Sequence, residues 1–220
     1  MNRIKTLIII LFFIITFSIY KVNANVLDLS LLGKIIYLDA GHGGKDCGAI
    51  SNNIYEKDIN LILVKKLEKE LVKKGAIVYL TRDGDYDLAN KNVKHRKRSD
   101  LSSRAKLIND SDCDIYLSIH LNSTTNSNWR GIQIYYDDNN ENNLLLAKAL
   151  NQEFESFSKL TRKIKKDNKY YMYKQINKPG ILIEAGFISN PNDNYLLRDN
   201  NYQDKLINVI VKGVENYFNL

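Results

Sequence analysis

The sequence has little cysteine, no internal repeat and no low-complexity segment. Its only two cysteines, Cys47 and Cys113, lack the spacing of a disulfide framework, so we expect two free thiols. Hydrophobic residues make up 44% and charged residues 26% of the chain, which excludes a fibrous or disordered protein. With 220 residues and no sign of a second domain, the chain fits one ordinary domain and a short appendage.

The sequence also lacks a large charge excess. The formal net charge is +7, but Arg3, Lys5 and Lys21 flank an apolar segment at the start of the chain. The remainder carries a net charge of about +4, which suits an anionic polymer such as cell wall and is too weak to indicate nucleic acid. The basic run KHRKR at 94–98 is one short stretch in a charged loop and does not alter this expectation.

The start of the chain predicts export. A basic N-terminus precedes an almost unbroken apolar run over residues 7–19, and VNA at 22–24 offers a small-residue cleavage site. We assign 1–25 to a signal peptide or membrane anchor, 26–33 to a linker and 34–220 to the catalytic domain. That domain is expected to work outside the cytoplasmic membrane, which it touches only through the N-terminal segment.

Strand and helix patterns alternate along the domain. The strand-like runs are KIIYLDAG, AIVYLTR, DIYLSIHLN, GIQIYY and PGILIEAGF. Amphipathic helical patterns lie between them or close the chain, and SDLSSRAKLIND reads as a helix with Ser99 as its N-cap. This alternation predicts a single α/β domain with a mostly parallel, twisted central sheet flanked by helices.

Two histidines stand at the carboxyl ends of predicted strands. His42 follows the first strand within GHGG, and His120 ends DIYLSIH, so both are expected at one edge of a parallel sheet. Glu56 begins the first helix, which a strand–loop–helix unit returns to that edge. Two imidazoles and one carboxylate are the pattern of a catalytic zinc site with an open fourth position. Taken singly, the histidines could be packing or surface residues, and Glu56 could simply stabilise a helix N-terminus.

Glu184 interrupts the apolar strand GILIEAGF. A carboxylate there is costly unless it is paired or lies near the exposed end of the strand. We interpret Glu184 as a general base that takes a proton from the attacking water and passes it to a leaving nitrogen. A salt bridge is the simpler alternative.

Several segments together resemble the zinc-dependent N-acetylmuramoyl-L-alanine amidases of the bacterial cell wall, the amidase-3 family. The matching segments are LDAGHGGKDCGA, YEKDINL, VYLTRDGD, SDLSSRAKLINDSDCDIYLSIHLN, GIQIYY and PGILIEAGFISNPND. The resemblance implies one Zn²⁺ ion on His42, Glu56 and His120, with Glu184 as the catalytic glutamate. It also agrees with the α/β fold read from the alternating pattern.

Other positions of the motifs have both a functional and a structural explanation. Arg104 and Asn122 match family positions around the cleft, which implies substrate binding, although helix-face solubility and loop structure would also explain them. Ala40 replaces a proline that the family often has before GHGG. Cys47 could be argued to compete for zinc as a soft ligand. His95 is expected to be solvated.

Within the family, the similarity points to the germination-specific spore-cortex amidases. It implies hydrolysis of the amide between N-acetylmuramic acid and L-alanine in peptidoglycan, removing stem peptides as the first step to muramic-δ-lactam. The expected partners are glycan strands with stem peptides and a regulatory or targeting protein at the spore envelope. The expected location is the intermembrane space or cortex of the forming spore. Two alternatives stay open: a zinc peptidase cutting within the stem peptide, and a catalytically weak scaffold on the same fold.

Overall fold

The computed structural model describes residues 28–220, so the predicted signal or anchor segment, 1–25, lies outside the described residues. The strands are β1 (Ile35–Ala40), β2 (Ile50–Ser51), β3 (Ile54–Tyr55), β4 (Ile77–Leu80), β5 (Ile115–Asn122), β6 (Gln133–Tyr136), β7 (Lys165–Lys166) and β8 (Gly180–Phe187). The helices are α1 (Glu56–Lys73), α2 (Arg96–Asn109), α3 (Glu141–Phe157), α4 (Pro191–Arg198) and α5 (Asn200–Phe218). A short 3-10 turn covers Tyr173–Gln175.

Six strands form the central sheet in the order β4-β1-β5-β8-β6-β7. All neighbouring pairs are parallel except β6 and β8, which run antiparallel. The prediction of a mostly parallel sheet flanked by helices is therefore confirmed. The small strands β2 and β3, a separate hairpin before α1, were not predicted because two-residue strands leave no periodic pattern.

Both faces of the sheet are covered by apolar side chains. Because successive residues of a strand point to opposite faces, Ile36 and Leu38 of β1 join the larger core, while Tyr37 between them joins the smaller one. The larger core includes the buried faces of α1, α3 and α5, and the smaller core includes residues of α2. This packing fixes the carboxyl ends of β1, β5 and β8 relative to one another.

The start of α2 differs from the sequence prediction. The helix begins at Arg96, inside the stretch predicted as a charged loop, and His95 is its exposed N-cap residue. Ser99 is therefore not the N-cap, and its hydroxyl instead accepts a hydrogen bond from the backbone N–H of Asn90 at 3.0 Å. The start was missed because the buried face of this helix includes a charged pair, Asp100 and Arg104, besides apolar residues.

The folded part of the chain begins before residue 34, where the sequence placed the start of the domain. Leu31, which was predicted to lie in a linker, is fully buried in the larger core, and its N–H donates to the Lys74 carbonyl at 2.9 Å. Leu31 thus packs on the domain, while the other residues from 28 to 33 are exposed. No helix within 28–220 is long and apolar enough to cross a membrane.

Cys47 and Cys113 are both free thiols, and Cys113 is buried in the smaller core.

Candidate active site

The structure brings His42, Glu56 and His120 together at the carboxyl edge of the sheet. Glu56 Oε1 lies 3.2 Å from His42 Nε2 and 3.1 Å from His120 Nδ1. One ligand atom from each of the three residues lies within 4.8 Å of the other two. The convergence follows from the topology, because β1 and β5 are parallel neighbours and α1 starts directly after the loop that follows β1.

Glu56 is held as a carboxylate. Its Oε1 accepts the Leu121 N–H at 3.0 Å, and its Oε2 accepts the Ala49 N–H at 2.8 Å. Burial alone would raise the pKa of this carboxyl, but hydrogen bonds and charge interactions with His120 and His42 outweigh burial and hold the pKa well below its usual range. A carboxylate in this state is ready to bind a cation.

His42 has an unusual backbone and a partner that the sequence did not suggest. Its φ is +64°, in the left-handed region that non-glycine residues rarely adopt, so the residue is strained in a loop where strain often marks function. Its Nδ1 lies 3.0 Å from Asp46 Oδ2, which leaves Nε2 pointing at Glu56. Burial lowers the pKa of His42, but the hydrogen bonds with Asp46 and Glu56 outweigh burial and raise it to about 9. A carboxylate on the far ring nitrogen is the usual way to orient a metal-binding histidine.

Two buried arginines fix the backbone of this loop. Arg82 donates to the carbonyls of Ala40 at 2.8 Å and Gly41 at 3.0 Å. Arg104 donates to the carbonyls of Ala40 at 2.7 Å and His42 at 2.5 Å. Three successive carbonyls are therefore satisfied by guanidinium groups, which offsets the cost of burying them and holds the strained His42 in place.

Glycines make room for the ligand side chains. A Cβ on Gly41 would overlap the imidazole of His120. A Cβ on Gly48 would lie 2.6 Å from Glu56 Oε2 and 2.7 Å from His42 Cδ2. Gly41 therefore leaves space for the imidazole of His120, and Gly48 leaves space for Glu56 and His42.

Glu184 lies beside the three converging residues. It is paired with His120 in the register of β5 and β8, and it lines a cleft of about 380 Å³ together with His42, Tyr135 and Tyr170. Among the described residues nothing hydrogen-bonds its buried Oε2, so the salt bridge considered from the sequence is not found. Burial, together with the negative charge of Glu56, raises the pKa of Glu184 to about 8, although His42 opposes this shift. The carboxyl can thus hold a proton near neutral pH.

A family model described as N-acetylmuramoyl-L-alanine amidase, Amidase_3, matches residues 36–216. The chain belongs to this family. The resemblance read from the motifs is confirmed, and with it the amidase activity on peptidoglycan that the family name states.

Several relatives resemble the amidase over most of its length. It is 40% identical to the germination-specific N-acetylmuramoyl-L-alanine amidase of Bacillus subtilis over 227 residues, which cover 99% of this chain and 96% of that protein. It is 34% identical to the probable cell wall amidase LytH of Staphylococcus aureus over 86% of this chain and 60% of that one. The CwlD amidase of Clostridioides difficile, solved in complex with the GerS lipoprotein, matches with a TM-score of 0.80 and 34% identity over 85% of this chain and 99% of that chain.

Two residues of the amidase were predicted to bind substrate. Arg104 lines the cleft, but it is 1% exposed and its guanidinium also contacts Asp39 and Asp100, so helix-face solubility does not explain it. Asn122 ends β5, where its side chain accepts the Ser123 N–H at 2.9 Å. Substrate binding by either residue stays a prediction.

Sequence reasoning missed the supporting residues of the amidase. Asp46 lies four residues after His42, a spacing that could have suggested a partner for the imidazole. Asp39 and Arg82 lay inside the matched motifs but carried no signal of their own, because their partners are backbone carbonyls and side chains distant in sequence. Cys47 is not one of the converging donors among the described residues.

Proposed function

We propose that the amidase binds one Zn²⁺ ion through His42, Glu56 and His120 and uses Glu184 to transfer protons during hydrolysis. The bond cleaved joins the lactyl carbonyl of N-acetylmuramic acid to the nitrogen of L-alanine. The observation that carries the proposal is the convergence of three metal-binding side chains beside a carboxyl group that has no salt-bridge partner in the described part of the chain.

The donor set suits zinc. A tetrahedral ion with bonds of 2.0–2.1 Å separates neighbouring donor atoms by about 3.3 Å, and Glu56 Oε1 lies 3.2 Å from His42 Nε2 and 3.1 Å from His120 Nδ1. Two imidazoles and one carboxylate also leave a fourth position for water, as catalytic zinc sites do. When bound, zinc supplies a Lewis acid that polarises a carbonyl and lowers the pKa of water to about 7.

The residues of the chain supply proton transfer and positioning. In its ionised form, Glu184 accepts a proton at Oε2 from the attacking water and delivers it to the L-alanine nitrogen as the carbon–nitrogen bond breaks. The lactyl carboxylate and the free amine of the peptide are then the products. Asp46 keeps the imidazole of His42 oriented, while Arg82 and Arg104 hold the backbone that carries it. Tyr135 and Tyr170 line the cleft around Glu184 and reduce its contact with water.

The biological role that we propose is removal of stem peptides from spore-cortex peptidoglycan, as the first step to muramic-δ-lactam. Its support is the 40% identity to a germination-specific amidase across 99% of this chain. The same similarity supports action outside the cytoplasmic membrane, in the intermembrane space or cortex of the forming spore. We further propose a regulatory or targeting protein as partner, because the similar CwlD amidase was solved in complex with a lipoprotein.

Product analysis tests the bond that is cleaved. The folded domain, loaded with zinc, is incubated with muropeptides from spore cortex that carry an intact stem peptide, and the products are read by mass. Peptides that begin with L-alanine, together with free lactyl groups on muramic acid, support the proposal. Fragments cut between stem amino acids would instead establish the peptidase alternative. If no product forms although zinc and the predicted partner are present, the result supports the alternative of a catalytically weak scaffold.

A further inference from the structure

An open groove lies beside the catalytic cleft. It is formed by the loop after β5 and the segment that leads into β7, with Trp129, Leu160 and Arg162 among its lining residues. Trp129, the only tryptophan of the chain, is 45% exposed, as is Leu160. Large apolar side chains that stay exposed on both walls of one groove suggest a surface that a ligand covers.

The side chains of the groove are held in place before any ligand binds. The Arg162 guanidinium lies 4.2 Å from the centroid of the Trp129 ring and 5.7 Å from that of Phe187. The loop itself is tied to α4, because Asp193 accepts the Gly131 N–H at 2.8 Å and lies 3.3 Å from Arg130 Nε. Arg162 Nε is buried and has no hydrogen-bond partner among residues 28–220. The stacked guanidinium therefore fixes the orientation of the exposed Trp129 ring.

Strand β6 links the groove to the cleft. Gln133, which lines the groove, is the register partner of Glu184 on β8, and neighbouring strands lie about 4.8 Å apart. Gln133 Oε1 also accepts a hydrogen bond at 3.1 Å from the hydroxyl of Tyr135, which lines the cleft. A polymer whose reacting unit lies at Glu184 can therefore extend past Tyr135 and Gln133 to Trp129.

We infer that the groove at Trp129 binds the glycan strand of the substrate. This inference rests on the proposed function, which places a muramic acid unit in the cleft. The glycan continues on both sides of that unit and needs an open path, whereas the peptide has an end and fits an enclosed cleft. A strand whose lactyl carboxyl groups are engaged in amides is uncharged, and it offers apolar sugar faces together with hydroxyl and acetamido oxygens. The exposed indole of Trp129 matches the apolar sugar faces, and the exposed polar side chains of Asn128 and Lys163 in the groove match the oxygens.

The fluorescence of Trp129 tests the inference directly, since no other tryptophan contributes. The probe is an oligosaccharide of alternating N-acetylglucosamine and N-acetylmuramic acid whose lactyl carboxyl groups are capped as methylamides, so that it is uncharged; it is titrated into the folded amidase. We expect a saturable change in emission, and about tenfold weaker binding for Arg162→Gln. Tyr79→Ala, which removes an exposed aromatic ring from β4 at the other end of the sheet, is the control and should bind normally. No emission change, or a change with free stem peptide only, overturns the inference.

Kinetics on substrates of two lengths separate this inference from the proposed function. Trp129→Ala should raise KM about tenfold for long glycan strands and raise KM much less for a single-muramic-acid muropeptide. Trp129→Phe should recover much of the loss, because it restores an aromatic face. Equal losses on both substrates would overturn the glycan assignment. If the wild-type protein is inactive but its Trp129 emission still responds to glycan, the proposed function is refuted. The assignment of the groove to glycan binding is then still supported.

Discussion

The guanidinium of Arg104 lies 2.7 Å from the carboxylate of Asp39, and both side chains are buried beneath the loop that carries His42. Arg104 also lies 2.9 Å from Asp100, four residues earlier on α2. The hydroxyls of Ser118 and Thr81 donate to Asp39 at 2.6 Å and 2.7 Å. This network joins β1, β4, β5 and α2 underneath the candidate metal centre.

Removing the charge of Arg104 should destabilise the fold. Arg104→Gln would leave two buried carboxylates without their cation, and we expect the free energy of unfolding to fall by about 3–5 kcal/mol. Arg104→Lys keeps the charge but cannot reproduce the forked contacts, so an intermediate loss is expected. Urea unfolding measures both. If Arg104→Gln is as stable as wild type and only raises KM, then Arg104 acts as the substrate-binding residue predicted from the sequence.

Acid should weaken the same network. Burial raises the pKa of Asp39, but the charge of Arg104 and the hydrogen bonds from Ser118 and Thr81 outweigh burial and lower it to about 2. Because this pKa lies below the unfolded value of about 3.9, the carboxylate stabilises the fold above pH 4, and its contribution disappears as the pH falls from about 4 to 2. The contribution is about 2 kcal/mol.

Unfolding experiments across this pH range check the contribution of Asp39. The difference in unfolding free energy between wild type and Asp39→Asn should be constant from neutral pH down to about pH 4 and shrink below it. A difference that grows on acidification would contradict the assignment. Asp204→Asn, at an exposed aspartate on α5, provides a control that should leave the low-pH profile close to that of wild type.

The sequence did not predict these buried charged contacts. The apolar runs predicted the five long strands and the sheet class, because the cores on both faces impose a simple pattern. Strand β7, with two exposed lysines at the sheet edge, gave no such signal. The early turn of α2 was missed for a related reason, since Asp100 on its buried face pairs with Arg104 instead of packing apolar surface.

The sequence predicted the candidate metal-binding residues better than it predicted the residues that hold them in place. His42 and His120 follow strands and Glu56 begins a helix, so topology alone brings them to one edge. The strained φ of His42 could not be predicted, because a histidine between glycines does not indicate which residue of the loop adopts the left-handed backbone. The contact between Asp46 and His42 and the two arginines that hold the loop depend on side-chain positions that spacing does not fix.

Glu184→Gln should abolish turnover without removing the metal. Glutamine keeps the size of the side chain but cannot accept and return a proton, so we expect a loss of about 10²–10⁴-fold in kcat. Bound zinc should stay at the wild-type level, because Glu184 is not one of the converging donors. Glu68→Gln, at a carboxylate on α1 paired with Lys65, is the matched control. Near-normal activity of Glu184→Gln would contradict its role.

Gly41→Ala should damage the metal centre selectively. The new Cβ would overlap the imidazole of His120, so this ring must move away from Glu56. We expect a large loss of zinc affinity in a protein that still unfolds cooperatively. Gly84→Ala is the control, since its Cβ would lie 3.4 Å from the ring of Tyr86 and nothing needs to move far. Equal zinc affinity in the two variants would show that Gly41 does not make room for His120.

The most direct test of the central claim is the zinc content of the purified folded domain, measured together with amidase turnover on the same sample. We predict one zinc ion per chain, and loss of both zinc and activity in His42→Ala, Glu56→Ala and His120→Ala, while His95→Ala, at an exposed histidine outside the site, keeps both. Full activity in a sample stripped of metal, or full zinc content in the three ligand variants, would contradict the account.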